Sequence, residues 1–138
     1  KNHSLIPGKI LINTLFSLSC LRGLVDTDGC VSRRGREGKQ FSISLYSRNK
    51  ELIKQVQNIS DAHKLFTYIS KEGYEIGTNS SEKVLNYFKK VGSSNLRHIV
   101  RFHLRFFDNR TIYQREVKDY YQKDLYTHLE LPFKVMDP

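Results

Sequence analysis

The sequence predicts an α+β fold. It is an αββαββα core whose four-stranded antiparallel sheet carries its helices on one face, followed by a C-terminal helical extension. Two observations carry this prediction. Two stretches, 30–48 and 64–78, alternate apolar and polar residues on both sides of a glycine-bearing turn, the pattern of β-hairpins. Helical stretches precede, separate and follow them. No low-complexity linker or shift of composition divides the 138 residues, so the chain reads as one domain, with a core at about 10–107 and an extension at 108–138.

Residues 10–27 are rich in Ile, Leu, Phe and small residues, contain no proline, and stop at Gly29. They are expected to form one helix. The next stretch, "CVSRRGREGKQFSISLYSRN", predicts strands at about 30–36 and 40–48 around "GREGK". Phe41, Ile43 and Leu45 point to one side of the second strand. Asn49 is a candidate N-cap for a helix from Lys50 to about Ser60, with Leu52, Ile53, Val56 and Ile59 spaced for one face. "KLFTYISKEGYEIGT" turns near Gly73. A short helix is expected between a capping Ser81 and a stop at Gly92. Another runs from Leu96 to about Phe107, and the Tyr-rich tail is helical in pattern until Pro132.

The balance of 23 Lys+Arg against 14 Asp+Glu, a net charge of +9, favours a polyanionic partner. Nucleic acid comes first, because the arginines sit among Tyr, Ser, Asn and Gln rather than in a lysine-rich tail. The alternative is an ordinary solvated basic surface. No apolar run is long enough to span a membrane, and "KNHSLIPGK" lacks the layout of a secretory signal. Cys20 and Cys30 read as free thiols. These features lead to the expectation of a soluble intracellular protein, in a cytoplasm or an organelle matrix.

The sharpest local anomaly is "LRGLVDTDG", Leu21 to Gly29, which puts two carboxylates at the negative end of a helix dipole. An EF-hand is excluded. Placing Asp26, Asp28 and Gly29 at its third, fifth and sixth positions puts Leu24 first and Gly35 last, where oxygen ligands are required. Zinc fails on spacing, since Cys20, Cys30, His63, His98 and His103 form no ligand pattern. Within the helix, Ser19, Gly23 and Thr27 fall four residues apart, a stripe of small side chains against which a second helix packs closely. Two copies of the helix about a two-fold axis would bring two Asp28 carboxylates together, an arrangement that hard divalent cations stabilise.

"LRGLVDTDG" resembles the signature of the LAGLIDADG homing endonucleases. Arg22 replaces the usual small second residue, Val25 the Ile, and Thr27 the small residue between the acids. The resemblance implies a site-specific double-strand DNA endonuclease with a saddle-shaped sheet on the DNA. It would use Mg2+ or Mn2+, with Ca2+ binding but not supporting cleavage. It further implies that Asp28 binds the catalytic metal, that the Thr27 carbonyl adds a ligand, and that Asp26 is structural. Ser19, Gly23 and Thr27 would form the dimer interface. Only one copy of the motif occurs, which implies a homodimer acting on long, near-palindromic DNA. Family members place a polar residue near the end of the second strand, where Ser47 and Arg48 stand. They also place a lysine after the third core helix, where this chain has Arg97 beside His98. Arginine stabilises phosphate charge but does not act as a general base.

Strand parity puts Ser32, Arg34 and Arg36 of the first strand on the polar face, with Gln40, Ser42, Ser44, Tyr46 and Arg48 of the second. Arg reads guanine and Gln reads adenine bidentately, and a two-stranded ribbon fits the major groove. In the second hairpin either Tyr68 and Ser70, or Thr67 and Lys71, face outward; Tyr68 and Ser70 are the candidates. The alternative activities are an RNA-binding maturase that helps an intron fold, and a non-cleaving DNA-binding regulator.

Overall fold

The computed structural model describes residues 5–34 and 40–106. Its elements run α1 (Gly8–Leu11), α2 (Thr14–Asp28), β1 (Gly29–Arg34), β2 (Gln40–Tyr46), α3 (Lys50–His63), β3 (Tyr68–Ile69), β4 (Glu75–Thr78), α4 (Ser81–Lys90) and α5 (Leu96–Phe106). The sheet has four antiparallel strands in the order β1-β2-β4-β3, so the two hairpins meet along β2 and β4. This is the expected α+β architecture. Arg36 and the extension 108–138 lie outside the described residues.

One side of the sheet builds the core. Val31, Phe41, Ile43, Leu45 and Ile76 are buried there, and helices α2, α3, α4 and α5 all pack on strands. Leu21 and Val25 of α2, Ile53, Val56 and Ile59 of α3, and Val84, Tyr87 and Phe88 of α4 supply the facing apolar stripes, four or three residues apart as a helix requires. Phe102 of α5 completes the cluster, its ring 4.3 Å from that of Phe88. At about 25 cal/mol per Å2 of apolar surface, burying side chains of this size stabilises by about 2 kcal/mol each.

The expected helix over 10–27 is two helices. Asn13 adopts an extended backbone, φ −108° and ψ 116°, and its side-chain oxygen accepts from the Phe16 N–H at 3.0 Å. A side chain able to cap satisfies an otherwise orphan N–H, so the chain restarts there instead of running through. The cap of α4 is Ser80 and not Ser81: the Ser80 hydroxyl accepts from Lys83 N. Asn49 does cap α3, accepting from Glu51 N and Leu52 N.

Gly29 ends α2 without the left-handed backbone of a usual glycine stop; its φ is −84°. Its need is steric. A Cβ there would lie 2.5 Å from the Val25 carbonyl oxygen, because the helix passes directly into β1 with no loop. Gly92, by contrast, ends the α4 region with φ 77°, the conformation that favours glycine.

Candidate metal and nucleic-acid site

The end of α2 sorts its residues by helical angle. Leu21 and Val25 face the core, while Ser19, Gly23 and Thr27 are exposed on the opposite side. Leu15, 70 % exposed, continues that stripe by one further turn, and Ile12 and Phe16 are exposed near it. A Cβ on Gly23 would meet nothing within 4 Å among the described residues, so packing there gives no reason for a glycine. The Thr27 hydroxyl donates back to the carbonyls of Gly23 at 2.9 Å and Leu24 at 3.3 Å, which leaves it engaged with its own helix. A cleft of about 680 Å3 borders the same helix, lined by Lys9, Ile10, Phe16, Ser19 and Cys20.

The two acids have opposite surroundings. The Asp26 side chain is 12 % exposed. Its Oδ1 accepts from the Ser93 hydroxyl at 2.6 Å and its Oδ2 from the Ser94 N–H at 2.7 Å. The Asp26 carbonyl accepts from Asn95 Nδ2 at 2.7 Å. His98, buried, places Nδ1 3.7 Å from Oδ1, beyond hydrogen-bond range but close enough for charge to act when the ring is protonated. Burial pushes the Asp26 carboxyl up, and the His98 ring, the Ser93 hydroxyl and the Ser94 N–H together outweigh it, so the carboxyl lies below its ordinary value. Asp28, two residues on, is exposed. Among the described residues, no hydrogen bond or ion pair uses its carboxylate.

The partners of Asp26 come from the junction of α4 and α5. Asn95 caps α5: its Oδ1 accepts from Arg97 N at 2.9 Å, and its carbonyl accepts from Ile99 N. Arg97 is exposed on the first turn beyond that cap. The stretch "SSN" before an amphipathic run signals a helix start. That its residues also hold a carboxylate on α2 has no local signal. The buried Tyr87 hydroxyl, without a hydrogen-bond partner among the described residues, is held well above its ordinary pKa by burial and then by the Asp26 charge, against Arg22.

The sheet reaches the same end of the molecule. Gly29 pairs with Leu45, so Tyr46, Ser47 and Arg48 continue β2 past the point where Asp28 leaves α2. Arg48 is exposed; the Ser47 hydroxyl accepts from Asn49 N and so serves the turn into α3. Tyr46, 57 % exposed, stands beside Tyr74, whose ring carries the Lys50 ammonium 4.7 Å from its centroid.

The outer side of the sheet carries the row Cys30, Ser44, Gly77, Tyr68 across all four strands. The row puts Tyr68 on the outer side of the sheet, although the residue is half-buried with its hydroxyl shielded from solvent, while Thr67 and Lys71 are exposed. Tyr68 lies across Gly77, with its hydroxyl 3.0 Å from where a Cβ would stand. Two expectations about this side need correction. Ser42 and Ser44 were expected to be exposed, yet they are 1 % and 6 % exposed. A short side chain on a central strand stays close to the backbone of its flanking strands: Ser44 lies between Cys30 and Gly77, and the Ser42 hydroxyl donates to the Ser32 carbonyl at 3.3 Å. Ser32 is half-buried, and Ser70 accepts from Glu75 N in the second hairpin. Arg34 and Gln40 face each other as paired backbone.

No three His, Cys, Asp or Glu residues group to hold a metal among the described residues, and no helix among them is long and apolar enough to cross a membrane. Asp28 nonetheless suits a hard divalent cation in kind: an exposed, unengaged carboxylate at the negative end of a helix, with the Thr27 carbonyl at the same end. In comparisons with known proteins, the family model described as a LAGLIDADG-like domain matches residues 16–103. No curated protein and no solved structure matches the chain.

Proposed function

Because this chain belongs to the LAGLIDADG family of homing endonucleases and maturases, we propose that it is a site-specific double-strand DNA endonuclease acting as a homodimer on long, near-palindromic DNA. The observation that carries this reading is the contrast at the end of α2. Both carboxylate oxygens and the carbonyl of Asp26 accept hydrogen bonds, whereas the exposed Asp28 carboxylate has no partner among the described residues and lies beside a stripe with open space at Gly23. A second copy laid on Ser19, Gly23 and Thr27 would cover exposed Leu15 and bring two Asp28 carboxylates to one place. Close carboxylates repel unless a cation lies between them.

Asp28 and the Thr27 carbonyl would hold Mg2+ or Mn2+, with Ca2+ binding without cleavage. The metal supplies an activated water and neutralises charge on the reacting phosphate. The protein's own groups do the remaining work. Arg97 and Arg48, both exposed, stabilise negative charge developing on the phosphate. The outer side of the sheet tracks the groove through Ser32, Tyr46, Arg48, Tyr68 and Ser70, with Ser42 and Ser44 as its floor; Arg34, Arg36 and Gln40 are added as DNA contacts from the sequence pattern alone. The test is to incubate the protein and Mg2+ with DNA spanning the intron-free form of its host gene. The expected result is cleavage at one site; no cleavage of that DNA refutes the reading.

A second reading, an RNA-binding maturase, draws on a different surface. Lys64, Lys83, Lys89 and Lys90 surround Asn86 in a groove on α4 and the end of α3, with Glu82 as the acid among its lining. Lys90 Nζ already donates to the His63 carbonyl at 3.1 Å, a cation on the negative end of α3. Intron splicing assistance that survives Asp28→Asn would favour this reading.

A further inference from the structure

The two ends of the Asn95 amide reach both site elements. Its Nδ2 donates to the Asp26 carbonyl at 2.7 Å, on the turn that carries Asp28, and its Oδ1 accepts from the backbone N–H of Arg97 at 2.9 Å. The loop around it is locked to the same turn. Ser93 and Ser94 hold the two oxygens of Asp26, and the Asn95 N–H donates to the Ser93 hydroxyl at 3.0 Å. A helix start needs a capping acceptor, which Ser, Thr or Asp supplies as well as Asn. The donor end of the amide is surplus to capping, and it is spent on α2.

We propose that Asn95, braced by Asp26, is a positioning residue that fixes Arg97 relative to Asp28. This rests on the endonuclease reading above. Arg97 and Asp28 lie on two helices that are far apart in sequence, and among the described residues no hydrogen bond or ion pair joins either side chain to the other's helix. Their separation is therefore set by whatever joins the two helix ends. The Asn95 bridge spans that gap with two hydrogen bonds of fixed geometry. A bridge of this kind matters for rate, because an error of about 1 Å in placing a catalytic charge costs about a hundredfold.

The test compares Asn95→Asp and Asn95→Ser with the parent. Both keep a capping oxygen for Arg97 N and lose the donor to Asp26; the serine variant carries the test if the added charge beside Asp26 prevents folding. The substrate is a DNA target recovered by cleavage in Mg2+ from a plasmid library with randomised inserts. Three quantities are read: single-turnover cleavage at saturating protein, Kd for the target in Ca2+, and the urea midpoint. The expected result is a Kd within about twofold of the parent and cleavage slower by about 10- to 100-fold. In an Arg97→Ala background the same substitutions should add no further loss. A parent-like cleavage rate overturns the proposal. So does a loss that multiplies with that of Arg97→Ala, or one that disappears once Kd is saturated. If the parent recovers no target while its fold is intact, the endonuclease reading fails and the positioning role falls with it. Cleavage by the parent together with unaffected Asn95 variants sinks the positioning role alone.

Discussion

Asp26 and Asp28 stand two residues apart on the same helix turn and are built for different purposes. Asp26 is tucked under the junction of α4 and α5, with hydrogen bonds from Ser93, Ser94 and, through its carbonyl, Asn95. Asp28 projects from the end of the helix with no such partner among the described residues. The difference is one of helical angle: a step of two residues turns about 200°, enough to move a side chain from an interface to solvent. A carboxylate at a helix C-terminus costs stability either way. For Asp26 the cost is offset by donors lent from another helix. For Asp28 no hydrogen bond or ion pair among the described residues offsets it.

Exchanging the two acids' side chains one at a time should pull these roles apart. The largest effect is expected from Asp28→Asn, which keeps shape and removes charge. Mg2+-dependent cleavage should fall by about a thousandfold or more while the urea midpoint stays put. A variant that still cuts at the parent rate would falsify the metal assignment. Next is Asp26→Ala, which leaves the donors of Ser93 and Ser94 without their carboxylate. Unfolding in urea should show a loss of about 2–4 kcal/mol, since bonds to charged groups contribute about 1.5–3 kcal/mol each and do not add fully. Equal stability in the two single variants would erase the contrast.

A smaller effect should appear in acid. The carboxyl of Asp26 lies below its ordinary value when folded, so the stability it contributes is fully present above about pH 4 and is lost as pH falls through the depressed folded value. Asp26→Asn should flatten that part of the stability-versus-pH curve, measured by urea unfolding between about pH 2 and pH 5. Asp28→Asn serves as the comparison. The smallest effect is expected at Gly23. With nothing within 4 Å of a Cβ there, Gly23→Ala should stabilise a monomer by about 0.5–1 kcal/mol through helix propensity. The bulkier Gly23→Leu should instead weaken self-association in sedimentation. A Gly23→Leu protein that dimerises like the parent would remove the small stripe from the interface.

Much of this was readable along the chain because it depends on near neighbours. Hairpins announced themselves by alternation, helices by spacing and caps, and the α+β class by their order. Where local reading slipped, another local rule won: Asn13 capped a new helix inside an apolar run, and Ser80 displaced Ser81. Burial on the outer sheet was less readable. Parity gives the side on which Ser42 and Ser44 lie, but how deep they sit depends on which strands flank them, and both are on a central strand.

By itself, then, the sequence determined the elements, the basic balance and the placing of two acids at the close of an apolar helix, because each follows from periodicity and composition. The motif resemblance already set Asp26 apart as structural; what holds it was decided only by the tertiary structure. The donors that hold Asp26 come from Ser93, 67 residues away, and from Ser94 and Asn95 beside it. A hydrogen bond over that separation leaves no periodic trace, since it exists only once α5 has packed against the sheet and brought its start to the end of α2.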